Sequence, residues 1–460
     1  RSNRCSRRYN CKSIKLMKLI QTLKNIWKIE ELRKRITITF LFVLVYRFGC
    51  HVVLPGLDPT ALQRMREFTQ QSGLMQLIDM FSGGAFSQAS VFALGIMPYI
   101  TASIVIQLLG MVLPSFQKMQ REGESGRMKL NQYTRYLTVF ILAVQAPAYL
   151  LNLNHQVNGI LAFGLFDIIY LTIVLTAGSM FIMWLGEKIT DKGIGNGISM
   201  IILVGIIARF PSALAEEFTS RLTTAQGGLV MFLVEIILLF AVTAGAVMLT
   251  QGTRKVPVQY AKRIIGNRQY GGARQYIPLK VNAANVMPII FAQALMFIPI
   301  TLAGFSTSQN EDGFMASFAR TFSDMNGFWY NLVYFLMIVA FTYFYTAITV
   351  RPTQMAEDMK KNSGFIPGIK PGKKTAEYID SIMSRITLPG SIFLGIVAIM
   401  PAFARLFGVN QNFAQFFGGT SLLITVGVVL DTLQQVETHL MMHHYDGLMK
   451  SGKVKGRTQG

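Results

Sequence analysis

The chain is short of charge, and shortest of acid. Of its 460 residues only 23 are Asp or Glu, and the four charged types together make 15%, against roughly a quarter in soluble domains. That excludes a soluble protein of this length, whose surface would need far more charge. Cysteine is nearly missing: Cys5 and Cys11 lie in a basic arm and Cys50 near the end of the first apolar run, so no disulfide framework is legible. Period-two alternation is absent, which excludes a membrane β-barrel. Catalytic signatures are missing as well. "GIGNGIS" (193–199) has no preceding strand and no Lys-Ser/Thr, and "GLMKSGKV" lacks a Ser/Thr after Lys453. His439 and His443 are spaced i, i+4, but no Glu follows the first to act as a base. Neither a serine elbow nor an intramembrane dyad is present. No catalytic residue, metal or cofactor is expected.

What is there is grease. Hydrophobic residues make 51% of the chain, with 33 Phe and 25 Met. Ten apolar runs recur, at about 36–54, 89–113, 132–152, 164–186, 198–215, 228–250, 285–304, 328–350, 386–406 and 414–436. Each is long enough to cross about 30 Å of hydrocarbon as helix. Backbone polar groups in lipid must be satisfied within the segment, so the expected fold is an all-α polytopic membrane protein.

Lys and Arg set the orientation. Twelve of them fall between Arg1 and Arg35. More follow in the connections after the second, sixth and eighth runs, while 152–163 has none. With ten spans, the positive-inside rule puts both termini in the cytoplasm. "MKLIQTLKNIWKIEELRKR" from Met17 reads as a natural start, so residues 1–16 are expected to be upstream translation without structure. No cleavable signal peptide is expected, because the first apolar run is too long and follows a long arm.

Ten spans divide into two sets of five, and an odd number inverts the second set with respect to the first, with a working site between them. The expected division is a basic arm at 1–35, a first half at 36–215, a second half at 216–436 and a tail at 437–460. Connections 251–284 and 351–385 are longer than antiparallel helices need and mix Lys/Arg with Tyr, Ile and Pro, as docking hairpins would. Acids within the runs are few, chiefly Glu235 and Asp431, which weakens the rival reading of a secondary transporter with a discontinuous helix and a small-molecule site. An intramembrane hydrolase lacks its nucleophile and base.

A polar puzzle remains: "DMFSGGAFSQAS" (79–90) sits directly before "VFALGIMPYITASIVIQLL". These blocks, with "EGESGRMKLNQYTRY", "DKGIGNGISMII", "PLKVNAANVMPIIFAQAL", "FIPGIKPGKKTAEYID" and "FGGTSLLITVGVVLDT", resemble the SecY family of protein-conducting channels from about Met17 to about Lys455.

The resemblance implies ten helices in two inverted five-helix halves around a central pore, conducting unfolded polypeptide. It implies a plug within 74–88, formed by Asp79, Met80, Phe81, Ser82, Gly83, Gly84, Ala85, Phe86 and Ser87, weakly held and facing water and protein instead of lipid. It implies a pore ring of Ile96, Ile100, Ile198, Ile202, Ile290 and Ile424. Six branched apolar side chains at a constriction dewet it yet yield to an extended chain. A lateral gate would involve Gln107, Gln145 and Gln293, hydrogen-bonding across the closed gate. Docking of the ribosome and of the SecA motor would use Arg254, Lys255, Arg263, Arg268, Lys370, Lys373 and Lys374. The family position of Lys370 commonly holds Arg, and Lys keeps the charge without the planar fork. SecE and SecG are the implied partner subunits, signal peptides and nascent chains the cargo, and the bacterial inner membrane with its lipids the location.

Overall fold

The computed structural model describes residues 29–56, 73–156, 164–223, 228–260, 263–265, 268–270, 274–284, 286–293, 295–296 and 327–450. Most of the basic arm, the proposed start at Met17 and the end of the tail lie outside the described residues.

Helix α1 is Glu30–Gly49, α2 is Gly73–Phe81 and α3 is Met97–Val112. A short α4 (Pro114–Arg121) precedes α5 (Glu124–Gln156), α6 (Leu165–Lys192), α7 (Gly197–Thr223) and α8 (Gly228–Gln251). After a strand region come α9 (Phe328–Thr349), α10 (Pro352–Lys361) and α11 (Lys373–Leu406). The chain closes with a short α12 (Gln411–Ala414), a 3-10 turn at Gln415–Phe417, and α13 (Gly419–Lys450).

Among the described residues, seven helices are long and apolar enough to cross a membrane, and they answer to the third, fourth, fifth, sixth, eighth, ninth and tenth runs. The protein is a polytopic, helical membrane protein. The first run becomes α1, whose charged ends shorten its apolar middle: Glu30 and Glu31 open it, and Arg47 sits in its last turn. Much of the seventh run, from 297, lies outside the described residues, but 287–293 is helical.

The second run departs from expectation. It was expected to be helical over 89–113, but residues 91–96 are turns and the helix starts only at Met97. Gly95 has φ +57° and Pro98 occupies the first turn of α3, a proline that starts helices and does not extend them backwards. Its 16 residues span only about 24 Å at 1.5 Å each. Pro114 then turns the chain by 103° into α4.

By its contacts the chain divides into two compact units. One comprises Arg1–Arg66, Asp79–Gly205 and Val428–Gly460, the other Glu67–Ile78 and Ile206–Gly427. Among the described residues, the boundaries between the units fall within α2, α7 and α13.

Among the described residues, the paired strands fall in the two long basic connections, both in the second unit. Strands β1 (Thr253–Tyr260) and β4 (Arg274–Lys280) pair antiparallel in one hairpin, with β2 (Arg263–Ile265) and β3 (Arg268–Tyr270) paired between them. Strand β5 (Gly364–Phe365) comes from the other connection and pairs with β1 through Gln259 and Phe365. Val256 and Val258 alternate inward along β1 and, with Leu279, Met359, Ile366, Ile379 and Met383, make a small apolar core. The two connections are thus one body built on α10 and the start of α11.

Candidate functional site

The polar segment after α2 is folded on itself and seated in protein. Residues 82–89 run through successive turns. Asp79, 0% exposed, accepts the backbone N–H of Ser87 on Oδ1 at 2.7 Å, which closes the loop. Ser82 Oγ donates to Asp79 O (3.1 Å) and accepts from Phe86 N (3.1 Å), while Ser87 Oγ donates to Gly84 O (3.2 Å). Glycines and serines are tolerable here because the loop satisfies its own polar groups.

Side chains outside the loop hold it, the Sγ of Cys50 among them at 3.8 Å from Ser82 O. From α1, Tyr46 Oη donates to Ser82 O at 3.2 Å and Arg47 Nη1 to Gly83 O at 2.6 Å. From α5, Tyr149 Oη donates to Phe86 O at 3.1 Å, its ring 5.0 Å from that of Phe86. Gly83 has φ +67°, and a Cβ there would stand 3.0 Å from the α-carbon of Gly205 on α7. Only glycine fits both the turn and the approach. To move, the loop must exchange these outside bonds, about 1 kcal/mol for each tyrosine and ~1.5–3 for the arginine. Arg47, a charge inside the first apolar run, was the legible signal for this tether.

The six isoleucines sit at helix starts or mid-helix. Ile96 is the N-cap of α3, and the N–H of Ile100 bonds its carbonyl at 3.1 Å, so the two lie one turn apart. Ile198 and Ile202 are likewise one turn apart at the start of α7, where Asn196 Oδ1 accepts the N–H groups of Ile198 (3.1 Å) and Ser199 (3.4 Å). The glycine-rich "GIGNGIS" is thus a capped corner between α6 and α7. Ile290 lies in the helical stretch 287–293 and Ile424 in α13. Ile96, Ile202 and Ile424 are buried; the other three are half-buried. The first four belong to one unit, and Ile290 and Ile424 to the other.

Of the three glutamines, Gln107 on α3 is half-buried, Gln293 is buried, and Gln145 on α5 is exposed. Gln107 and Gln145 share a unit; Gln293 belongs to the other.

Arg254 and Lys255 are exposed on β1, and Lys370, Lys373 and Lys374 are exposed at the entry to α11. Arg263 and Arg268 lie on the paired strands β2 and β3, and their side chains fall outside the described residues. Lys373 and Lys374 open α11 with no acidic residue in its first turn. Cations there oppose the helix dipole, so local stability does not account for them.

Sequence reasoning saw Glu235 but not its partners. Arg221 on α7 donates Nε to Glu217 Oε1 (2.9 Å), and another guanidinium nitrogen to Glu235 Oε1 (2.6 Å) and Gly408 O (2.8 Å). All three charged side chains are buried. The chief acid within the apolar runs is thus an ion-pair partner, and the other, Asp431, is exposed. Neither is placed as a transporter's coupling site would require. The i, i+4 spacing of Glu217 and Arg221 was visible in sequence; their meeting with Glu235 and Gly408 was not.

Comparison with known proteins follows the same line. The family model described as SecY matches residues 90–433. The protein translocase subunit SecY of Streptomyces scabiei is 43% identical over 435 residues, covering 92% of this chain and 98% of that protein. That of Thermotoga maritima is 41% identical over 445 residues, covering 95% and 99%. Among solved structures, one described as a protein conducting channel aligns with a TM-score of 0.58 at 18% identity, covering 88% of this chain and 92% of that one. Sec61 in the canine ribosome-channel complex aligns at 0.54, with the same identity and coverage. The solved structures show a shared fold, and the near-complete alignment with the bacterial proteins shows more: this chain belongs to the SecY family.

Proposed function

We propose that this chain is the conducting subunit of a protein translocase. It passes unfolded secretory polypeptide across the bacterial cytoplasmic membrane and releases membrane-protein helices sideways into the bilayer. The observation that carries the reading is the segment 79–87, polar, buried and hydrogen-bonded to itself in a chain rich in membrane helices. The chain performs no chemistry. It supplies a path, and SecA, a translating ribosome or the membrane potential supplies the work.

In this reading Ile96, Ile100, Ile198, Ile202, Ile290 and Ile424 form the dewetted constriction. They offer no fixed hydrogen-bond pattern, so the passing sequence is not selected. Gln107, Gln145 and Gln293 line the seam that parts for a signal helix, whose fate is decided by partition: apolar residues gain a few tenths of a kcal/mol each, and one central charge loses about 3. SecE and SecG are the accessory subunits, and both termini are cytoplasmic. The test is crosslinking in a chain whose natural cysteines are replaced by serine. A stalled secretory polypeptide is expected to react with cysteines introduced at Ile100 and Ile290. Reaction confined to lipid-facing positions such as Val230 sinks the assignment.

The fused basic body on β1, β5 and α11 is the docking face. Lysines placed against the helix dipole at 373 and 374 support this, since they stabilise α11 only when an anion arrives. Lys373→Glu with Lys374→Glu is expected to weaken ribosome binding to proteoliposomes. It should also flatten the plot of log affinity against log salt by about one unit per lost phosphate contact. An unchanged slope in ribosome co-sedimentation across a salt series would place docking elsewhere.

A further inference from the structure

Gln76 stands three residues ahead of Asp79 on α2, yet it belongs with another part of the chain: Glu67–Ile78 cluster with the second unit. Its side chain is 3% exposed and is engaged at both ends. Nε2 donates to Asn412 Oδ1, and Oε1 accepts from Gln415 Nε2 at 3.1 Å. Behind this contact the segment 405–415 is fastened at several points. Asn412 Nδ2 donates to Glu216 Oε2 (2.6 Å), and the backbone N–H of Asn410 to Glu217 Oε2 (2.9 Å). Arg221 takes Gly408 O, as described above, and Arg405 Nη1 donates to Gln411 Oε1 (2.8 Å).

We propose that Gln76 is a positioning residue, a catch that seats the plug helix α2 on the segment 408–415 in the resting channel and lets go when the plug moves. The inference rests on the reading of Asp79–Ser87 as the plug. A carboxamide can donate and accept at once, so one side chain makes two bonds with fixed geometry. Both bonds are neutral and give way cheaply, whereas the base behind them is a buried, charged triad that does not. Weak contacts on the moving side and strong ones on the fixed side are what a releasable catch needs. The arrangement also explains why a polar side chain is buried in the front half of α2.

The experiment is single-channel recording of the full chain with its partner subunits in planar bilayers. Gln76→Met keeps the volume and removes both bonds. It is expected to raise the frequency of spontaneous opening about thirtyfold, the worth of two neutral hydrogen bonds. Asn412→Leu should act similarly, and the double variant should open little more often than either single one. Gln76→Glu keeps the acceptor and loses the donor. Its openings should fall back towards the parent frequency as pH is lowered and the carboxyl regains a proton, a response that a merely structural residue would not give. If Gln76→Met is as quiet as the parent while a channel lacking Gly83–Phe86 leaks, the catch is wrong and the plug stands. If neither leaks, the plug reading falls and takes the catch with it. Effects of Gln76→Met and Asn412→Leu that multiply would show two independent sites and overturn the pairing.

Discussion

Planar bilayers carrying the chain without Gly83–Phe86 are expected to leak ions at rest. The deletion takes away the carbonyls of Gly83 and Phe86, the acceptors for Arg47 and Tyr149. With those bonds worth about 2.5–4 kcal/mol together, the closed state loses on the order of a hundredfold in weight. The loop closure from Asp79 to Ser87 fails too, because four of its residues are gone. Replacing Ile96 and Ile198 by Ser should give a second route to the same leak, by wetting the constriction. Conductance of reconstituted protein in planar bilayers measures both. Membranes that stay tight in both variants would remove the plug and the ring together.

Arg221→Leu should cost more stability than any other single change described. It leaves Glu217 and Glu235 buried near each other with no cation and frees Gly408 O from its donor. Removing one partner of a buried ion pair costs about 3–5 kcal/mol, since the remaining charge has neither water nor partner. Glu235→Gln is the control: it keeps an oxygen to accept from Arg221, leaves Glu217 to balance the charge, and should cost about 1 kcal/mol. Thermal unfolding in detergent, followed by helix content, compares the two. Midpoints within about 2 °C of each other would mean the triad contributes little to the fold.

The long helices were legible because twenty apolar residues in a bilayer have one option, and α5, α6, α8 and α9 followed the expected runs. The second run misled for a physical reason. Residues 91–96 are as apolar as a span, but Gly95 and Pro98 set its true start, and apolarity says nothing of backbone conformation. Alternating Val256 and Val258 hinted at strand in a connection otherwise read from its charge. The pairing of Gln259 with Phe365 could not be seen, because it joins segments about a hundred residues apart with no local pattern linking them. Site residues divide the same way. Isoleucines one turn apart look like ordinary packing, and only the family likeness singled them out. The tethers Arg47 and Arg221 were visible as charges in or beside greasy runs, but what they touched was not.

The strand pairing has a mechanical corollary. Only Gly252 separates α8 from β1, and seven residues separate β5 from α11. Because β1 pairs with β5, a displacement of either connection would bear on both helices. In the reading proposed above, a partner bound to this body would reach α8 and α11 through a single piece of structure.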